Sequence, residues 1–382
     1  MTLGRCVLWL MGLTLVALLG GGCNLRATEP PIEPSPTPFR TRTPSPTVLP
    51  TATRVAAPTD PLDRPQWHPA SQGIPAQIGV AAVTVAPSDP QVVYLAAYEP
   101  GGLYHSDDGG ESWQPIRGGL ASLAPIALAV HPADSDAVWV GTVAGAYRTT
   151  DGGQSWQPVA SLSQMPLYAL AFSPGGVNLY AGGEAPGVWR SADGGQTWSF
   201  IEVVHIQSSV LSLAVAGDGT LFAGTAGQGV WASLDGGETW QPAGGTLTSA
   251  HVTILRSLDD GRLYALADSG LYLSRDRGDT WQMMGPPQFE PLSFAVESAR
   301  FDRIYLGSKG NALAVSLDGG ASWDFAGDGL RHADITCLVT DPNTSGSVYL
   351  GTQYNGLYRT TDAGRSWQLI SGAVGKAVVT AV

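Results

Sequence analysis

The sequence predicts an all-β fold, a seven-bladed β-propeller of four-stranded antiparallel blades, and three observations lead there. An eight-residue pattern, Ser/Thr-x-Asp-x-Gly-x-Ser/Thr-Trp, recurs seven times, with its tryptophans at positions 113, 156, 198, 240, 281, 323 and 367, spaced 43, 42, 42, 41, 42 and 44 residues apart. Each unit also carries four short apolar runs, as in IALAVHP at 126–132, AVWVGT at 137–142, GAYRTT at 145–150 and the run after the tryptophan. Four short strands in about 42 residues match one propeller blade. The composition agrees: 49 glycines, 28 prolines and 12 tryptophans among 382 residues suit many short strands, tight turns and large aromatic fillers.

Taken from the N-terminus, residues 1–23 read as an export signal: Arg5, an apolar run from Val7 to Leu19, then three glycines and Cys23. The apolar run is short for a bilayer span, which favours a cleaved signal over a permanent membrane helix. The stretch resembles a bacterial lipoprotein signal, which implies lipidation of Cys23. It departs from the lipobox in having Gly20 three places before the cysteine and the leucine one place earlier; ordinary cleavage with an unmodified thiol is the alternative. The expected location is extracytoplasmic, anchored to the cell membrane as a lipoprotein or otherwise secreted. Residues 24–66 are rich in proline, threonine and serine and read as a disordered tether. Proline keeps such a chain extended at about 3.1 Å per residue, a reach on the order of 100 Å at full stretch. Residues 67–382 form the propeller. With Cys6 in the signal and Cys23 acylated, Cys337 in the run ITCLVT has no disulfide partner and reads as a small core residue.

The repeated box has a structural reading. In a hairpin between third and fourth strands, the carboxylates of Asp108, Asp151, Asp193, Asp235, Asp276, Asp318 and Asp362 accept hydrogen bonds from turn NH groups that lack ladder partners. Glycine supplies positive φ, the hydroxyl ties the turn to its flank, and tryptophan covers the apolar space beneath. Seven aspartates spread around a ring cannot converge on one ion, so the boxes read as turn staples and no metal or cofactor is expected. These residues resemble the Asp-box, or BNR, repeat of sialidases, sortilins, xyloglucan-hydrolysing glycosidases and the photosystem II stability and assembly factor family. An exported propeller with seven boxes most resembles the last of these. That resemblance implies a non-catalytic, often lipid-anchored protein that binds another protein during assembly.

Charge excludes one class of partner. Twenty basic residues against 32 acidic ones give a net charge of −12, and residues 67–382 hold 14 basic against 28 acidic. Nucleic-acid affinity rests largely on cationic contacts, so nucleic acid is not expected as a partner. No histidine pair stands at ligand spacing, and there is no Cys-x-x-Cys or G-x-S-x-G motif, so nothing marks an enzyme.

Strand parity places the first-to-second and third-to-fourth turns on one face with the boxes, and the remaining connections on the other. That second face draws on Tyr98, Glu99, Glu184, His205, Gln228, Asp268, Phe289, Glu290, Lys309, Asp324, Arg331, His332, Gln353, Tyr354 and Asn355, which are the candidate binding residues. The alternative to a protein-binding scaffold is a glycan-binding or glycoside hydrolase module related to sialidase and xyloglucanase propellers. Hydrolysis requires two carboxylates about 5–9 Å apart, for which Glu99, Glu184, Asp268 and Glu290 are available; as solvated loop charges they have no catalytic meaning. A sialidase resemblance would also imply an arginine triad, yet Arg148, Arg190, Arg275, Arg277, Arg359 and Arg365 precede or lie within boxes, on the other face.

The ends repeat parts of a unit: Trp67 in PQWHPA matches a fourth-strand tryptophan, and KAVVTAV at 376–382 echoes the first-strand pattern VAAVTVAP at 80–87. Because an open blade edge leaves backbone groups unpaired, one of these segments is expected to complete the sheet where the ends meet.

Overall fold

The computed structural model describes Ile74, 78–99, 102–116, 124–203, 205–268, 270–286, 289–297, Arg300, 302–310, 313–326, Leu330 and 334–370. The expectations for the signal, Cys23, the tether, Trp67 and the tail at 376–382 lie outside these residues. Within them, seven four-stranded sheets follow one another along the chain, each built from four consecutive antiparallel strands. We number these blades 1 to 7. Blade 1 comprises Gly79–Val85, Val93–Glu99, Gly102–Ser106 and Gln114–Ile116, and blade 7 comprises Ile335–Thr340, Val348–Thr352, Leu357–Thr360 and Gln368–Leu369. The only helix among the described residues is the 3-10 turn Gly245–Leu247, and none is long and apolar enough to cross a membrane.

The layering of each sheet follows from side-chain chemistry. First strands of successive blades pack side by side around the axis, placing them innermost. Second strands such as Leu221–Thr225, Ile304–Ser308 and Val348–Thr352 are buried along their whole length. They lie between neighbouring blades on both faces, so they read as unbroken apolar runs instead of alternating ones. Fourth strands such as Gln114–Ile116 and Asp324–Ala326 are the most exposed and form the outer rim. An equivalent position in every second strand is aromatic: Tyr94, Trp139, Tyr180, Phe222, Tyr264, Tyr305 and Tyr349. All seven are buried.

A glycine in the second strand sets the spacing between blades. A Cβ at Gly182 would stand 2.6 Å from Val210 of the next blade, and one at Gly351 would stand 2.7 Å from Val80. The absent side chain is therefore the socket into which the following first strand fits. Gly351 and Val80 belong to blades 7 and 1, so the same joint closes the ring. Thr336 Oγ1 donates to the Val80 carbonyl at 2.7 Å, and Tyr349 OH and Arg359 Nη1 donate to the Gly109 carbonyl at 2.8 and 2.7 Å. Among the described residues each of the seven sheets draws its four strands from one stretch of chain.

Candidate functional site

In all seven boxes the Ser/Thr hydroxyl donates to the aspartate, which accepts the NH and hydroxyl of the second Ser/Thr. In the first, Ser106 is buried, and its hydroxyl accepts the Gly110 NH at 2.8 Å while donating to Asp108 Oδ1 at 2.8 Å. The same oxygen accepts the Ser112 NH at 2.8 Å, Asp108 Oδ2 accepts the Ser112 hydroxyl at 2.5 Å, and Trp113 Nε1 donates to the Gly110 carbonyl at 3.0 Å. In the third box, Asp193 accepts hydrogen bonds from Ser191 Oγ at 2.7 Å, the Thr197 NH at 2.9 Å and Thr197 Oγ1 at 2.6 Å. Hydrogen bonds to the ionised form lower a carboxyl pKa. The Ser155 hydroxyl holds Asp151 at about 2, the Thr239 hydroxyl holds Asp235 at about 2 and the Ser322 hydroxyl holds Asp318 at about 2. Each box glycine at the fifth position has φ between +84° and +102°. The residue before it is also left-handed, and in two boxes it is Arg277 or Ala363, at φ 60° and 63°.

Every box carboxylate is thus occupied by its own turn. Among the described residues no group of three His, Cys, Asp or Glu side chains is arranged to hold a metal. The box is also tied to the first-to-second turn of its own blade: Gly109, Gly152, Gly194, Gly319 and Ala363 donate their NH groups to the carbonyls of Gln91, Asp136, Val177, Asp302 and Gly346. Both turns therefore share one face.

The opposite face has an equally regular plan. Glu184, Ala226, Asp268, Lys309 and Gln353, in the second-to-third turns of blades 3 to 7, donate NH groups to the carbonyls of Pro166, Ser209, His251, Glu290 and Asp334 in the loop that leads into the same blade. The candidates Glu184, Asp268 and Lys309 consequently stand at one equivalent position in different blades, spread around the rim. Several side chains serve the loops themselves. Asp268, at φ 50°, accepts the His251 NH at 3.1 Å, and its Oδ1 lies 3.6 Å from His251 Nδ1. Gln228 accepts the Gln207 NH at 2.6 Å and donates to the His205 carbonyl at 3.1 Å, while the His205 ring stacks over Trp231 with centroids 6.2 Å apart. Tyr354 is 60% exposed and accepts from Gln353 Nε2 at 3.1 Å; the Asn355 NH donates to Thr352 Oγ1.

Two residues are not where strand parity placed them. Phe289 is 7% exposed and belongs to the apolar cluster between blades 5 and 6, because an aromatic ring at a loop end gains more from that interface than from water. Asp324 begins the fourth strand of blade 6, directly after the box tryptophan, and pairs with Val315 at the box end of the sheet. Arg331 and His332 lie outside the described residues, as do the side chains of Tyr98 and Glu99.

With that geometry established, comparison with known proteins identifies the repeat. The family described as BNR/Asp-box repeat matches at residues 104–115 and 147–158. The chain is an Asp-box β-propeller. This Asp-box propeller is similar in fold to an ancestral GH74 enzyme, at 22% identity, TM-score 0.65 and coverage of 80% of this chain and 47% of the other. It is similar to the GH74 xyloglucanase from Xanthomonas campestris, at 18% identity, TM-score 0.66 and coverage of 81% and 56%. The chain spans about half the length of these two enzymes. A structure of YCF48 bound to D1 peptide matches at 18% identity and TM-score 0.60, covering 76% of this propeller and 95% of that chain. Identities this low establish the shared fold. No curated protein sequence matches the chain.

Proposed function

We propose that this propeller is exported and lipid-anchored through Cys23, held off the membrane by the tether at 24–66, and binds a protein partner as an assembly scaffold on the face opposite the boxes. The observation that carries the reading is the plan of that face. Glu184, Asp268, Lys309 and Gln353 occupy one equivalent position in blades 3, 5, 6 and 7 around a broad rim, with Asp268 and Gln228 engaged by their own loops. A wide mixed surface of this kind suits a protein or peptide more than a reaction needing two convergent carboxylates. The near-complete coverage of a YCF48 chain that binds a peptide supports the same direction. The N-terminal sequence supports the anchor.

The test is site-specific photo-crosslinking in membranes of the producing cell, with the probe at Lys309 or Tyr354 on the proposed face and at Gln196 on the box face. Crosslinks to a discrete protein from the first two positions and not the third are expected. Crosslinking confined to Gln196 would overturn the assignment of the face. Glycan hydrolysis abolished by substituting two of Glu99, Glu184, Asp268 and Glu290 would replace the scaffold reading with the glycosidase one. Unchanged membrane partitioning of Cys23→Ser would remove the lipid anchor.

A further inference from the structure

The outermost strands of the blades are not equally protected. Two places after the box tryptophan, the fourth strand carries Pro115, Pro158 and Pro242 in blades 1, 2 and 4, but Phe200, Met283, Phe325 and Leu369 in blades 3, 5, 6 and 7. The backbone at this position points away from the sheet. In blades 4 and 7 the next residue, Ala243 or Ile370, donates its NH inward to the Val230 or Leu357 carbonyl, and backbone groups alternate in direction along a strand. Proline there removes an outward donor and blunts the edge against further pairing. Blade 6 has the same register, with Ala326 opposite Leu313 and Phe325 opposite Ala314, so Phe325 presents both its NH and its carbonyl to solvent.

Among the edges without proline, that of blade 6 offers the most apolar surface. Phe325 is 68% exposed, more than any other large apolar side chain among the described residues. Phe200 is better covered, its ring centroid 5.1 Å from that of Trp189, and Leu369 is half-buried. Met283 is exposed but flexible, and holds no fixed shape. Phe325 is held from one side, because the buried Phe289 ring lies 6.1 Å from it at the junction of blades 5 and 6. That junction is itself unusual. The socket glycine found as Gly182, Gly224, Gly307 and Gly351 is replaced in blade 5 by Leu266, so the first strand of blade 6, Pro291–Val296, packs chiefly on Leu263–Ala267 and not beside the first strand of blade 5. Aromatic residues, Phe294 and Phe289 among them, fill the space between these blades.

We propose that the outer edge of blade 6, Asp324–Ala326, takes an extended segment of a protein partner by strand addition, one that sets an apolar side chain against Phe325 and a lysine or arginine against Asp324. An outward NH and carbonyl on one residue are matched by another extended backbone, not by a helix or a sugar. Side chains of an added strand alternate, so the residue opposite Phe325 shares its face and the next shares the face of Asp324. Asp324 is exposed and has no ion-pair partner among the described residues. A second copy would bring another Asp324 and a domain of 28 acidic against 14 basic residues, so charge complementarity selects a cationic segment over self-pairing. This surface is independent of the partner face proposed above, because it lies on the outer rim.

The acetylated and amidated peptide KVKVKVK, added to the full chain, tests the surface, with affinity read by fluorescence anisotropy and contact read by hydrogen exchange at the Phe325 NH. Saturable binding that weakens with salt and slows exchange at Phe325 is expected. The peptide EVEVEVE, and KVKVKVK with its valine nitrogens methylated, should each bind about tenfold more weakly or worse. Phe325→Pro should weaken KVKVKVK by about tenfold or more, since it copies the residue of blades 1, 2 and 4 at a position whose NH the sheet does not use. Met283→Pro should leave binding unchanged, and Asp324→Asn should narrow the preference for the lysine peptide. Equal binding of the lysine and glutamate peptides, a preference untouched by Asp324→Asn, undiminished binding by a folded Phe325→Pro chain, no slowing at Phe325, or loss of binding in Met283→Pro would each overturn the proposal. So would a parent that sediments as a dimer and a Phe325→Pro chain that sediments as a monomer, since the occupant would then be a second copy. Should Phe325→Pro fail to fold, the peptide comparison and the exchange at Phe325 in the parent decide the matter.

Discussion

Glu297 offers the sharpest test of how the blades are held together. It follows the first strand of blade 6, is 3% exposed, and is one of the few buried carboxylates in the ring. Arg303 Nη1 donates to its two oxygens at 3.2 and 3.4 Å, Tyr305 OH donates to Oε1 at 2.9 Å, and Ser345 Oγ of blade 7 donates to Oε2 at 2.9 Å. The last bond crosses the interface between blades 6 and 7, so one carboxylate fastens a turn and joins two blades. Glu297→Ala leaves a largely enclosed guanidinium, a buried phenol and a serine hydroxyl without their acceptor. Removing one partner of a buried pair costs about 3–5 kcal/mol. At about 2 °C per kcal/mol for a domain of this size, the melting temperature should fall by roughly 6–10 °C. Calorimetry and urea unfolding of the parent, Glu297→Ala, Ser345→Ala and the double variant measure both the loss and the coupling across the interface, for which about 0.5–3 kcal/mol is expected. A Glu297→Ala chain melting within about 2 °C of the parent would refute the clamp. Strict additivity with Ser345→Ala would show that the carboxylate stabilises blade 6 alone.

Other consequences are as direct. The box carboxylates of Asp151, Asp235 and Asp318 have folded pKa values of about 2, below the ordinary 3.8, so their contribution to stability is complete above pH 3.8 and is lost as pH falls toward 2. Acid unfolding followed by tryptophan fluorescence should set in within that window, and a stability independent of pH between 4 and 2 would contradict it. Gly195→Ala should destabilise by more than about 1 kcal/mol, because φ is +89° and the new Cβ would collide with the Trp139 ring; urea midpoints measure this. At Ala363, whose φ is 63°, glycine relieves left-handed strain, and Ala363→Gly should raise the unfolding free energy by about 0.5–1 kcal/mol, read as a higher urea midpoint. Burial pushes the Cys337 thiol up to about 12, so peptide mapping after alkylation at pH 8 should find it unmodified until the chain is unfolded.

The repeat and the number of blades were legible in the sequence, and the reason is range. Each box is closed by bonds within eight residues, as from Ser106 to Trp113, so the residues that cause the turn lie inside the motif. Strand parity sorts the turns by the same local logic, and Glu184, Asp268, Lys309 and Gln353 lie in second-to-third turns. It failed at Phe289, where an interface between blades captured the ring, and at Asp324, where the position after the box tryptophan is still the box end of the strand. Nor could it show that Asp268 and Gln228 are engaged by loops on the far side of a turn.

What only tertiary structure decided depends on residues remote in the chain. Val80 meets Gly351 and Glu297 meets Ser345 because the ring brings separate repeats together. Leu266 in place of a glycine looks like an ordinary apolar residue until its neighbour's first strand must fit there. The sequence by itself determined each blade, since a blade is made by short-range bonds and local apolar pattern; the joints between blades arise only when those blades close on one another.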